Sequence, residues 1–235
     1  MKTAFITGGS GGIGASIAEK FKKSGYNAII GYFSNAEAAE KLAADLGAFA
    51  VKVDVTSEES VKEAFKKTRE KFGKIDVLIN CAGVALPQKV VTDVSGEEFD
   101  RVFAVNIKGA FNCVKEALPD MFYIGHGDIV NVSSIWGLRG ASCEVVYSAS
   151  KGALNSFTLS LAEELEPSNI KVNAVAPGYV KTKMNAHLTE EDEKRFLEEN
   201  GLSSLTTKEQ VAEAVLGLVE GKETGRIIKI ENLLD

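Results

Sequence analysis

A chain of 235 residues, 45% hydrophobic and 26% charged, has the make-up of a soluble globule, and no apolar run approaches the roughly 18 residues of a membrane-spanning helix. Twenty-seven basic against 33 acidic residues leave a net charge of −6, which offers no basic face to duplex nucleic acid. Cys81, Cys113 and Cys143 are scattered, odd in number and without CxxC spacing, so they read as reduced thiols of a cytoplasmic protein, neither disulfides nor metal ligands.

The first predicted strand, 2–7, reaches glycine at Gly8, too early for a secretory signal. The turn after it reads Thr7-Gly8-Gly9-Ser10-Gly11-Gly12-Ile13-Gly14 and enters a helix predicted over 12–24. Glycines there let the backbone turn tightly and approach a pyrophosphate seated on the helix N-terminus. Three other readings compete. One is a glycine-rich turn with no ligand. A P-loop would need Gly-Lys-Ser/Thr, and Ile13-Gly14-Ala15 stands instead. Gly8-x-Ser10-x-Gly12 formally matches the nucleophile elbow of hydrolases. That elbow follows a later strand and needs an acid and a His, and only His126 and His187 are present. Dinucleotide binding is the best reading, although Gly-x-x-x-Gly-x-Gly departs from the Gly-x-Gly-x-x-Gly spacing.

A second strand, 27–32, ends in Tyr32-Phe33-Ser34-Asn35 before a helix over 35–46. Readers of NAD place an acid at this tip, where it holds the ribose hydroxyls and repels a 2′-phosphate. The first acid here is Glu37, which favours NADP(H) over NAD(H) and leaves Tyr32, Ser34 and Asn35 to bind the phosphate. The third strand, 48–53, leads through Asp54 and Val55 to a helix over 57–72, with Val61, Ala64, Phe65, Thr68 and Phe72 on one face. The fourth, 75–80, runs into Asn80-Cys81-Ala82-Gly83. A helix over 96–123 contains Asn106, a poor residue for a helix interior, which points either to a job or to a solvent-facing side chain.

The fifth strand, 128–133, delivers Ser134, and a helix over 146–165 carries Tyr147 and Lys151 one turn apart on a shared face. A second such pair, Tyr179 and Lys183, falls in the least regular stretch, 178–205, and reads as chance. Strand ends of a parallel sheet face the ligand crevice, so Ser134 and Tyr147 can both reach a carbonyl oxygen. Hydride arriving at a ketone leaves an alkoxide that needs a proton, and a Tyr with a pKa of about 10 suits neutral pH poorly. A Lys ammonium about 4 Å away would contribute about 4 kcal/mol, roughly three pK units, and bring the phenol to about 7. Glu190-Glu191-Asp192-Glu193 reads as a solvated helix face or as part of a mobile lid over the substrate. A sixth strand over 171–175, a helix over 207–220 and a seventh strand over 226–230 close the pattern. Strands rich in Val and Ile that alternate with helices mean right-handed βαβ units, and no linker interrupts them, so the chain reads as one α/β domain over 1–235.

Taken in order, Thr7-Gly8-x-x-x-Gly12-Ile13-Gly14, Asn80-x-Ala82-Gly83, Asn106, Ser134, Tyr147-x-x-x-Lys151 and Pro177-Gly178-x-x-x-Thr182 resemble the short-chain dehydrogenase/reductase family over nearly the whole chain. The resemblance implies a doubly wound Rossmann fold, a seven-stranded parallel sheet of order 3-2-1-4-5-6-7. It implies Tyr147 as general acid/base, Lys151 as its activator and a ribose contact, Ser134 as substrate anchor, and Asn106 supporting a water relay behind Lys151. Gly8, Ser10, Gly12, Ile13, Gly14, Asp54, Val55, Asn80, Ala82, Gly83, Pro177, Gly178, Val180 and Thr182 would line the cofactor, Asp54 at the adenine and Thr182 near the carboxamide. A homodimer built on the 96–123 and 146–165 helices, or a homotetramer, is the expected assembly. Cys81 replaces the family's usual Asn, Gly11 stands where many NADP-using relatives carry Arg, and the usual Asp-Gly-Gly near the C-terminus is absent.

Two substrate branches stay open. The chain as a whole looks like 3-oxoacyl-acyl-carrier-protein reductases. The segment from Ser134-Ile135-Trp136-Gly137 to Gly140-Ala141-Ser142-Cys143-Glu144-Val145 resembles elongation factor P 5-aminopentanone reductases, which act on a ketone carried by a protein lysine. Asp128 stands where carrier-protein reductases tend to carry Arg or Lys, so an acidic carrier would meet less positive charge. Glu144 would pair with a substrate amine or is an ordinary surface charge, and Trp136 would flank the substrate. The family's small-ketone reductases complete the field. A non-catalytic redox sensor that binds NADPH is the rival from another class, although such proteins usually lose the Tyr or the Lys.

Overall fold

The computed structural model describes residues 1–182 and 189–233. Lys183 of the second Tyr–Lys pair, His187, and the terminal Leu234 and Asp235 lie outside the described residues. All seven predicted strands form, as β1 (Thr3–Thr7), β2 (Asn27–Tyr32), β3 (Phe49–Lys52), β4 (Val77–Asn80), β5 (Gly127–Val132), β6 (Ile170–Pro177) and β8 (Ile227–Ile230). They build one parallel sheet in the order β3-β2-β1-β4-β5-β6-β8. The order reverses between β1 and β4, which opens a crevice beyond their C-terminal ends, at Thr7 and Asn80.

Helices cover both faces because the strands are apolar on both. On one face α1 (Gly12–Lys23), α2 (Ala36–Leu46) and α8 (Lys208–Glu220) bury Ile17, Phe21, Ala39 and Val215 against β1, β2 and β5. On the other, α3 (Glu58–Phe72), α5 (Gly109–Ile124) and α6 (Val145–Leu165) bury Phe65, Val114, Met121 and Leu161. Phe5 of β1 stacks on Phe65 at 4.3 Å. Buried Asp120 of α5 ties this layer together, accepting from Arg69 at 2.8 Å and from the Ile75 amide at 3.2 Å. No described helix is long and apolar enough to cross a membrane.

The structure departs from the sequence pattern in two places. The predicted 96–123 helix is three pieces: α4 (Gly96–Phe103), one π turn over Ala104–Lys108, and α5. Gly109 packs so tightly on Val55 that a Cβ there would lie 2.6 Å from its Cγ2. The π turn rotates Asn106 inward, where it is 2% exposed, so the solvent-facing reading is wrong. Phe99 and Phe111 of this unit stay exposed, as do Val145 and Leu159 of α6.

The stretch 178–205 is more regular than its sequence suggests. It contains α7 (Glu190–Asn200), opened by a reciprocal capping box between Thr189 and Asp192. A short strand, β7 (Leu202–Ser204), then pairs antiparallel with β9 (Asn232–Leu233) at the C-terminal side. No residue of α7 is fully buried, which is why its period is faint.

Candidate active site

The glycine turn after β1 is shaped by close approach. Gly8 and Gly12 hold φ of +64° and +48°, which glycine adopts without strain. A Cβ on Gly8 would lie 3.0 Å from Ala82 Cα, and one on Gly14 only 2.2 Å from the Gly8 carbonyl oxygen. Thr7, which the sequence offers only as part of a motif, fastens this turn to the β4 end: its Oγ1 accepts from the Cys81 and Ala82 amides, both at 3.0 Å. Gly11 caps α1 without a side-chain bond, and Gly11, Gly12, Ile13 and Gly14 line the crevice.

A cavity of about 270 Å³ follows from this arrangement. It gathers Gly8, Gly12, Ile13, Gly14, Ala82, Gly83, Ser134, Tyr147, Lys151, Pro177, Gly178, Val180 and Thr182, as well as Gly11 and Cys81. Seven expected cofactor residues fall outside its lining. Ser10 is half-buried in the turn, Tyr32 half-buried at the end of β2, and Ser34 exposed beyond it. Asn35 caps α2, its Oδ1 accepting from the Ala38 amide at 3.2 Å. Asp54 Oδ1 is occupied by the Thr56 amide and hydroxyl at 2.9 and 2.7 Å, and buried Val55 offers its carbonyl to Asn112 at 2.9 Å. Asn80 lies beneath the cavity and donates to Asn131 at 2.9 Å, which donates to Thr158 at 2.9 Å. This relay ties β4, β5 and α6 together, and only the fold reveals it.

Asn106 is likewise committed. Its Nδ2 donates to the Val84 carbonyl at 3.0 Å and to Ser150 at 2.9 Å, while its Oδ1 accepts from the Val84 amide at 2.8 Å. The π turn thus pins the Gly83–Val84 segment to α6. Lys151, 4% exposed, donates to the Val132 carbonyl at 2.8 Å. A Cβ on Gly83 would lie 3.4 Å from Lys151 Nζ, so glycine there leaves the ammonium room.

Ser134 and Tyr147 both line the cavity, and Ser134 Oγ accepts from the Trp136 amide at 3.2 Å. Electrostatics differ from expectation. Burial pushes the Tyr147 phenol up to about 12, against a smaller downward pull from Ser134. Burial also pushes Lys151 down to about 8. The ammonium sits 5.7 Å from the phenol ring centre and spends a bond on Val132. The anticipated phenol near neutrality is therefore corrected, because desolvation is the largest influence on Tyr147 and Lys151 is not among the groups that lower it.

A second lobe of about 260 Å³ opens from the same junction, sharing Ser134, Tyr147 and Gly178 with the first. Trp136, Tyr179 and Phe196 supply its apolar wall, with Phe196 edge-on to Trp136 at 6.0 Å. Glu144, Asp192, Glu193 and Glu199 line it, with Arg195 the one basic lining side chain among the described residues; Glu193 is paired with Lys181 at 2.9 Å and Asp192 caps α7. Glu144 sits here because Cys143, at φ 61°, turns the chain into α6. Burial pushes its carboxyl up, opposed by a bond from Gln88. Asp128 is corrected in the other direction. It lies inside β5, at the end away from the crevice, 5% exposed and paired with Lys171 at 2.8 Å, so it presents no charge to an approaching carrier.

The family model described as short chain dehydrogenase matches residues 2–193. An uncharacterized oxidoreductase of Bacillus subtilis, YmfI, is 37% identical over 238 residues, covering 97% of each chain. A 3-oxoacyl-[acyl-carrier-protein] reductase of Aquifex aeolicus is 37% identical over 237 residues, 97% of this chain and 95% of that one. The solved structure of a 3-ketoacyl-(acyl-carrier-protein) reductase from Brucella melitensis, complexed with NADH, superposes with a TM-score of 0.93 at 30% identity, over 98% of this chain and 96% of that chain.

Proposed function

This chain belongs to the short-chain dehydrogenase family, and on that premise we propose that it reduces a ketone to a secondary alcohol with NADP(H), Tyr147 serving as general acid. One observation carries the reading: Ser134 and Tyr147 both line each of the two lobes, at the junction where they meet. A carbonyl oxygen at that junction would accept from both. The nicotinamide cofactor supplies hydride when bound. Its fit to this chain rests on the tight turn that Gly8 and Gly14 permit and on the N-terminus of α1, which no side chain caps, suited to a pyrophosphate.

What remains for the chain is proton handling. Burial keeps Tyr147 protonated at neutral pH, which is the state a donor needs. An alkoxide is more basic than a phenolate, so it takes that proton. Ser134 holds the oxygen as its charge grows. Lys151 is placed to donate to ribose hydroxyls and to favour the phenolate once it forms.

The tip of β2 supports NADP(H) over NAD(H). Asn35 caps α2 through Oδ1 and so keeps Nδ2 for a phosphate, exposed Ser34 adds a hydroxyl, and the N-terminus of α2 carries partial positive charge. Ser34→Asp should weaken NADPH and strengthen NADH binding, each by about tenfold, the scale of one charge-assisted contact. Titration of both nucleotides against both proteins checks this; tighter NADH binding by the unmodified protein would overturn the assignment.

The acidic wall of the second lobe supports a ketone bearing an ammonium group, such as the aminopentanone on a protein lysine. The carrier-protein reductases among the relatives support a 3-oxoacyl thioester instead. NADPH oxidation measured in parallel with an acetoacetyl thioester and an aminopentanonyl-lysine peptide separates the two, and NADPH binding with no turnover of either would indicate a sensor. Glu144→Gln should lower kcat/KM for the aminoketone by about tenfold to a hundredfold and leave the thioester nearly unchanged, since only the ammonium uses the carboxylate. Equal losses on both substrates would make Glu144 structural.

A further inference from the structure

We propose that Arg139 is a positioning residue for the substrate lobe, holding α7 against Trp136 by spanning Asn200 and the buried Glu231. This rests on reading the second lobe as the substrate site. Arg139 follows the 3₁₀ turn Ile135–Gly137, and its guanidinium lies 5.1 Å from the Trp136 ring centre. It donates to Asn200 Oδ1, at the C-terminal end of α7, at 2.6 Å. It also stands 3.6 Å from Glu231, between β8 and β9. The Glu231 side chain is only 3% exposed, its Oε1 makes no hydrogen bond among the described residues, and Lys229 is its other cation.

These contacts close a ring. Chain runs from α7 through β7, which pairs with β9, and β9 begins beside Glu231. Arg139 returns the link to Asn200. Thr206 secures the far side by donating to the Ile230 carbonyl at 2.9 Å, and Gln210 donates to Asn232 at 2.7 Å. The ring bears on the chemistry at two points. Phe196 of α7 packs edge-on to Trp136 and lies 5.6 Å from Tyr179, so holding α7 sets the width of the apolar wall. Glu231 backs Gly178, where a Cβ would lie 2.9 Å from Glu231 Cγ, and Gly178 lines both lobes. A planar fork addresses two oxygens in fixed directions and lies flat on an indole, whereas an ammonium is a compact point charge without that geometry, so Lys is a poor substitute.

Trp136 is the sole tryptophan, so its emission reports on this wall without any need for turnover. Arg139→Ala should shift that emission to longer wavelength and increase its quenching by acrylamide. It should raise KM for the ketone by about tenfold, the loss expected for one charge-assisted contact, while kcat and NADPH affinity hold. Asn200→Ala should reproduce both effects and Asn200→Asp should restore them in large part, because Asp keeps the oxygen that accepts from Arg139 and gives up only the donation to the Phe196 carbonyl. The Arg139→Ala/Asn200→Ala double variant should be little worse than either single one. Unchanged emission and KM in Arg139→Ala overturn the proposal, as does a fall in kcat at constant KM. If Arg139→Ala fails to fold, the contrast between Asn200→Ala and Asn200→Asp decides alone. Emission is read without substrate, so a wrong ketone would leave that arm intact and be recognised as a separate failure.

Discussion

Tyr147→Phe should cut ketone turnover by about 10²–10⁴-fold, the usual contribution of a positioned general acid, while NADPH still binds. The phenyl ring keeps its place in α6, so what is lost is the hydroxyl that shares the junction with Ser134. Lys151→Ala should lose turnover and nucleotide affinity together, because one ammonium serves both the phenol and the ribose. Its pKa of about 8 sets a direction. NADPH affinity of the unmodified protein should fall as pH rises through that value, since the proton that makes Lys151 a cation is being removed. Lys151→Ala should flatten this dependence. Stopped-flow turnover and nucleotide titration across pH 6 to about 9.5 test both points, a range set by the lysine's titration. A Tyr147→Phe protein that kept most of its activity would show the acid to be elsewhere.

Gly14→Ala should abolish nucleotide binding and lower thermal stability. The new Cβ would stand 2.2 Å from the Gly8 carbonyl oxygen, a backbone atom that cannot step aside without moving the turn itself. Overpacking of this kind costs about 1–3 kcal/mol, or roughly 2–12 °C in Tm for a chain of this size. The nucleotide loss should exceed the stability loss, because a shifted Gly8 also leaves its close approach to Ala82. Gly217 of α8 provides the comparison. Nothing lies within 4 Å of a Cβ there, and Ala in a helix interior gains up to about 1 kcal/mol over Gly. Gly217→Ala should keep or raise Tm. Tight NADPH binding by Gly14→Ala would mean the turn is not where the pyrophosphate sits.

The sequence by itself determined the sheet, because each strand's apolar run and each helix's period are local signals, and it determined Ser134, Tyr147 and Lys151 through their place after a buried strand. It located the glycine turn for the same reason: φ and close approach at Gly8 and Gly14 are backbone demands that only glycine meets. Other features depend on partners far along the chain and were decided by the tertiary structure alone. The π turn at Asn106 ends where Gly109 packs against Val55, more than fifty residues earlier, a contact no local signal reveals. Thr7, Asn131 and Arg139 earn their roles only when β4, α6 and α7 arrive beside them. Helix α7 showed in the sequence only as the acidic run 190–193, read as a solvated helix face, because it buries no residue completely and its apolar stripe is thin. The phenol's pKa was misjudged for a related reason. Spacing along a helix gives the neighbour's charge, but the desolvation that opposes it is set by everything folded around Tyr147.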